Sequence, residues 1–140
     1  MLRAVLDANV HVSAYVRPEG PPGKIIERFL RDAAFEMVVS AEIVEEVLQA
    51  LAYPKVRKAV RAKVDPGLWF GDILALAQVV SGEYKISRLS KDPDDDKYIA
   101  AAIEGRAVFA VSGDPDLLIL AEHQGVRVIT PRAFLDLLGR

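Results

Sequence analysis

The stretch "DPDDDKYIAAAIEGRAVFAVSGDPDLLIL", Asp92 to Leu120, carries a helix, a strand and a second helix start in immediate succession. Four aspartates, Asp92, Asp94, Asp95 and Asp96, crowd ahead of an apolar run with helical spacing. After Gly105 comes the strand-like run Ala107 to Val111, and the pair Asp114 and Pro115 then forms a good helix cap and first turn. Such alternation marks an α/β fold.

Working outward, similar short apolar runs occur at Ala4 to Leu6, Phe35 to Val39 and Val126 to Ile129, each followed by a polar or proline-containing turn and a helix-like segment. The expectation is a single domain, residues 1–140, with a central, mostly parallel, twisted sheet flanked by helices. Pro21, Pro22 and Gly23 lead into a helix over Lys24 to Ala34. Ser40 can cap a helix over Ala41 to Tyr53, which Pro54 stops or kinks. Lys55 to Val80 should hold two helices separated at Asp65, Pro66 and Gly67, and Gly82 to Ser90 reads as a loop or a short edge strand.

Composition narrows the function. The chain is 51% hydrophobic, and its 18 basic and 20 acidic residues leave a net charge of -2, so any nucleic-acid site has to be local. The absence of cysteine excludes disulfides, thiol nucleophiles and cysteine-liganded zinc. The first residues lack a basic flank, a long apolar segment and a small-residue cleavage site, so a cytoplasmic protein with no membrane span is expected.

The acidic residues fall in informative places. Ligands in open parallel sheets bind beyond the carboxyl ends of strands, where Asp7 follows one strand and Asp114 and Asp116 follow another. Asp96, Ile99, Ala100 and Ile103 share one helical face, which turns Asp96 inward and Asp95 away; Asp94 is the better-placed cap. On the helix after Ser40, Glu45 and Glu46 flank the apolar stripe on opposite sides, and periodicity does not choose between them. Converging carboxylates repel unless a cation sits between them, and an all-oxygen set suits Mg²⁺ or Mn²⁺. The chemistry favoured by such a site is metal-assisted attack of water on a phosphodiester.

In order and spacing, "VLDANVHVSAYV" (Val5 to Val16), "VVSAEIVEEVLQAL" (Val38 to Leu51), the Asp92 to Leu120 stretch and "VRVITPRAFLDLL" (Val126 to Leu138) resemble the PIN domain family, most closely the small prokaryotic toxins of toxin–antitoxin systems. The resemblance implies a Mg²⁺- or Mn²⁺-dependent endoribonuclease using one or two ions. It maps the acids to Asp7, Glu46, Asp96 and Asp114 as catalytic residues, with Asp7, Asp96, Asp114 and Asp116 on the metal and Asn9, Ser40 and Ser112 in support. It also implies an RNA substrate, a cognate antitoxin, and a homodimer or higher oligomer as one form of assembly. Ala8, in place of the more usual threonine, and His11, in place of an aliphatic residue, depart from the family pattern without removing an acid.

Plainer readings stand beside these. Asp114 would serve well as a cap alone, whereas Asp7 is given no helix to cap, and Asp92, Asp94 and Asp95 are assigned to capping and solvation. His11 and His123 are read as packing and surface residues, and Leu68, Trp69 and Phe70 as core, with a partner interface as the alternative. Lys24, Arg28 and Arg31 on one helix face, and Arg57, Lys58, Arg61 and Lys63 on another, could steer an RNA backbone, although solvated faces are the simpler reading. A haloacid-dehalogenase-like phosphatase would need a second aspartate where Asn9 stands. A receiver domain would need clustered acids near its first strand and a late lysine that are missing. A catalytically silent PIN-like module that binds RNA or protein is the main competitor.

Overall fold

The structure is a computed structural model that describes residues 1–60, 64–86 and 92–139. Its strands are β1 (Arg3–Leu6), β2 (Glu36–Ser40), β3 (Gln78–Val80), β4 (Phe109–Val111), β5 (Glu122–His123) and β6 (Val126–Ile129). They form a six-stranded sheet in the order β3-β2-β1-β4-β6-β5. All neighbouring strands run parallel except β5, which pairs antiparallel with β6.

Flanking the sheet are α1 (Ala8–Val16), α2 (Pro21–Asp32), α3 (Ala41–Leu51), α4 (Pro54–Ala59), α5 (Pro66–Leu76), α6 (Asp96–Glu104), α7 (Pro115–Leu118) and α8 (Pro131–Leu138). Ala4, Val5 and Leu6 of β1 and Met37, Val38 and Val39 of β2 are fully buried, as expected of strands covered on both faces. The α/β reading therefore holds, with β1, β2, β4 and β6 where the apolar runs put them.

Several local expectations change. A helix, α1, begins directly after Asp7, and the segment ending at Val80 closes in a strand, β3, rather than a helix. Pro54 stands at the first position of α4, where its missing N–H costs no hydrogen bond. Residues 82–86 have no regular structure, while residues 87–90 of the expected loop or edge strand lie outside the described residues. Phe70 is completely buried, but Leu68 is 73% exposed, so that trio divides between core and surface.

Helix α6 packs against β1, β2, β4 and β6. Buried alanines at 100, 101 and 102 permit this approach, and Gly105 ends the helix against Val38. A Cβ on Gly105 would lie 2.4 Å from Val38 Cγ1, which fixes the spacing between the end of α6 and β2. Among the described residues no helix is long and apolar enough to cross a membrane.

Candidate active site

Strand β1 has β2 on one side and β4 on the other, so the chain reverses its direction of growth across the sheet between β1 and β4. In parallel sheets that reversal opens a crevice at the carboxyl ends of the strands. Asp7 stands at the end of β1, and Ser112 and Asp114 just beyond β4.

Asp7 is 4% exposed and does cap a helix. Its Oδ1 accepts the Val10 N–H of α1 at 2.9 Å, and its Oδ2 accepts the Ser112 hydroxyl. The expectation that Asp7 had nothing to cap is thus corrected; α1 escaped notice because the helix it starts is apolar on several faces. Fully buried Ser112 also accepts the Asp114 N–H at 2.9 Å, joining the two strand ends. Asp114 caps the short α7, with Oδ1 accepting the Asp116 N–H at 2.9 Å, and Asp116 sits part-buried in that first turn.

Asp7, Asn9, Glu46, Asp95, Tyr98 and Asp114 line one cleft of about 250 Å³, completed by Ala8, Gln49, Ala50 and Tyr53. Asp96 is buried, as its helical face implied, but it borders a neighbouring cavity of about 120 Å³ with Ser40, Glu42, Lys85, Asp94 and Lys97. The acid that reaches the cleft at the start of α6 is its preceding residue, Asp95. A 3₁₀ turn, Pro93–Asp95, precedes α6, so a phase of 100° per residue does not extend back through it. Asp92, not Asp94, caps that turn by accepting the Asp94 N–H at 3.0 Å.

The electrostatics set Asp95 apart. Burial, then the charge of Asp114 and a hydrogen bond with its carboxylate, with smaller contributions from Asp92 and Asp7, push its carboxyl up to about 7. Its Oδ2 is buried without a hydrogen-bond partner among the described residues. Burial also pushes the Asp7 carboxyl up, against the hydrogen bonds from Ser112 and Val10, with Asp114 and Glu46 adding to the rise. Glu46 is held differently, by the Lys97 ammonium at 2.9 Å and by the Tyr98 hydroxyl.

Among the described residues no three histidine, aspartate or glutamate side chains are already drawn together around a single ion position. The donors nevertheless fit a hard divalent cation: they are carboxylates, they repel one another, and one oxygen, Asp95 Oδ2, is buried without a hydrogen-bond partner among the described residues. Asp7, Asp95 and Asp114 are the residues that could hold it, with Glu46 as a further carboxylate donor in the same cleft.

Of the supporting residues, Asn9 is exposed in the cleft wall and Ser40 caps α3, its Oγ accepting the Ile43 N–H at 3.4 Å. Among the basic residues, Arg28 is paired with Asp32 and Arg31 with Glu27 and Asp32. Exposed Arg57 and Lys58 lie on α4, which packs against α1 and α3, the helices that border the cleft; Arg61 and Lys63 lie outside the described residues. Asp95, assigned from the sequence to capping and solvation, instead lines the cleft without a side-chain cap bond, and sequence reasoning passed over Lys97 and Tyr98. The available signal for Tyr98 was a hydroxyl set in the otherwise apolar run Tyr98 to Ile103.

Known proteins share this fold. An uncharacterized protein of Methanocaldococcus jannaschii is 25% identical over 152 residues, spanning 96% of this chain and 90% of that protein. The crystal structure of VapBC2 from Rickettsia felis bound to a DNA fragment from its promoter contains a chain of similar fold. That chain is 11% identical at a TM-score of 0.59, over 92% of this chain and 98% of that one. PAE2754 from Pyrobaculum aerophilum is also similar, at 15% identity and a TM-score of 0.51, over 98% and 89% of the two chains. Residues 3–116 match the family model described as PIN domain, and the chain accordingly belongs to the PIN domain family.

Proposed function

We propose that this PIN domain is a metal-dependent endoribonuclease that hydrolyses RNA phosphodiesters at the β1–β4 crevice, and that it is the toxin of a toxin–antitoxin pair acting in the cytoplasm. The observation that carries the reading is the meeting of Asp7, Glu46, Asp95 and Asp114, from four separate segments, in one cleft with Asp95 raised to about 7. Retaining a mutually repelling set of acids around buried Asp7 is costly unless they bind something positive.

Asp7, Asp95 and Asp114, with Glu46 as a further donor, would hold one or two Mg²⁺ or Mn²⁺ ions. When bound, such an ion supplies a water of lowered pKa and offsets charge developing on the phosphate. Ser112 and the Val10 N–H orient Asp7, and the Asp116 N–H orients Asp114. No side chain acts as covalent nucleophile. Arg57 and Lys58 would draw in the RNA backbone, whose charge the acidic cleft alone would repel. Asp96, the inward acid of α6, is assigned to support from the adjoining cavity, and Asp116 assists beside Asp114.

A second reading, a catalytically silent module that binds RNA or protein, is favoured by one observation: Lys97 and Tyr98 already engage Glu46. The deciding test is cleavage of mixed-sequence single-stranded RNA with Mg²⁺, Mn²⁺ or EDTA by antitoxin-free wild type, Asp7→Asn, Asp95→Asn and Asp96→Asn. Metal-dependent cutting lost in Asp7→Asn and Asp95→Asn supports the nuclease. No cutting by the folded wild type selects the silent module.

A further inference from the structure

We infer that Tyr98 and Lys97 form a positioning clamp that fixes the Glu46 carboxylate relative to Asp7 before any divalent cation arrives. This rests on the divalent-cation reading above. Tyr98 is 4% exposed and lines the acidic cleft, and its hydroxyl has two partners. It donates to Glu46 Oε1 of α3 and accepts the Ala8 N–H of α1 at 3.2 Å. Lys97 Nζ holds the other oxygen, Glu46 Oε2, at 2.9 Å.

The partners are connected in a specific way. Ala8 is the first residue of α1, and its amide belongs to the first turn, which has no intrahelical acceptor. Asp7 caps the same turn but directs Oδ1 to Val10, leaving Ala8 to Tyr98. One hydroxyl therefore spans from the turn that carries Asp7 to the side chain of Glu46, a residue with three rotatable side-chain bonds. Holding both oxygens of that carboxylate removes rotamer freedom in advance, as preorganised sites require. Lys97 also supplies a positive charge at a carboxylate that shares its cleft with Asp7, Asp95 and Asp114.

A tyrosine that merely filled the core would act on folding alone. The test therefore reads affinity, by calorimetric titration of Mn²⁺ into metal-free wild type, Tyr98→Phe, Glu46→Gln and the double variant. Each is studied at a temperature where near-ultraviolet circular dichroism reports the folded state. Tyr98→Phe is expected to weaken Mn²⁺ binding by about 10- to 100-fold, the range found when residues supporting metal ligands are altered. In the Glu46→Gln background the same change should add less than about twofold, since the hydroxyl acts through that carboxylate.

An affinity for Tyr98→Phe within about twofold of wild type, or an equal loss in both backgrounds, overturns the clamp. Wild type that takes up no Mn²⁺ overturns the cation reading and the clamp together, so the two failures are distinct. Should Tyr98→Phe fail to fold, Lys97→Gln releases Glu46 Oε2 without disturbing the Ala8 amide. Its lost charge acts in both backgrounds, so the clamp requires the change to be less favourable to Mn²⁺ binding, by more than about twofold, in wild type than in Glu46→Gln, and an equal change in both rejects it.

Discussion

His11 is fully buried in α1, with both ring nitrogens lacking hydrogen-bond partners among the described residues and its ring set edge-on to Phe70 at 5.3 Å. Burial lowers its pKa from 6.5 to about 4. The unfolded chain then binds a proton that the native state refuses. His11 makes its full contribution to stability above pH 6.5 and loses it as pH falls toward 4. Linkage over that shift is worth about 3 kcal/mol in the limit, and about 2 kcal/mol between pH 7 and pH 5. His11→Leu removes the titration and relieves two unpaired polar atoms, so at pH 7 it should stabilise by about 1–3 kcal/mol. Urea denaturation followed by circular dichroism, at pH 7 and pH 5, measures both effects. Asp7 and Asp95 titrate in each protein, and the difference between wild type and variant cancels them. Parallel pH profiles, within about 0.5 kcal/mol, would refute the buried neutral imidazole.

Asp95→Asn should abolish metal-dependent RNA cleavage while raising the metal-free melting temperature at pH 8, because it removes a charge that burial and Asp114 disfavour. Asp95 is protonated more readily folded than unfolded, so metal-free wild type is expected to lose stability as pH rises from 3.8 through about 7, with Asp7 acting in the same direction. Mg²⁺ should then raise the melting temperature more at pH 8 than at pH 5, as scanning fluorimetry would show. Gly23→Ala should cost about 1–3 kcal/mol or more in a denaturation experiment, since the new Cβ would stand 2.1 Å from the Pro18 carbonyl oxygen. The double change Arg57→Ala and Lys58→Ala should weaken single-stranded RNA binding and reduce the slope of log affinity against log salt by about 1.4; an unchanged slope would take α4 out of the RNA path.

Strands β1, β2, β4 and β6 were legible because burial on both faces writes them as continuous apolar runs. Strands β3 and β5 were not, being three and two residues long at the sheet margins with mostly exposed side chains, too little for a period to emerge. The Ser40 and Asp114 caps could be read from residue type and position alone. Helix α1 was obscured because Ala8, Val10, His11, Ala14 and Tyr15 are all buried, so the usual contrast between faces is weak. In the acidic run, helical spacing correctly turned Asp96 inward, but the cleft depends on how the chain enters α6. The 3₁₀ turn changes that entry, and a period of 3.6 cannot report it.

The cleft acids differ in what else they do, and that bears on how relatives of this chain should be compared. Asp7 and Asp114 each begin a helix, so selection for folding alone would keep them in a lineage that had stopped cutting RNA. Asp95 occupies a helix start without bonding to it. Freed from catalysis, that position should drift first, to asparagine, serine or alanine. An aspartate retained there would separate working descendants from lapsed ones more sharply than either of its better-anchored companions.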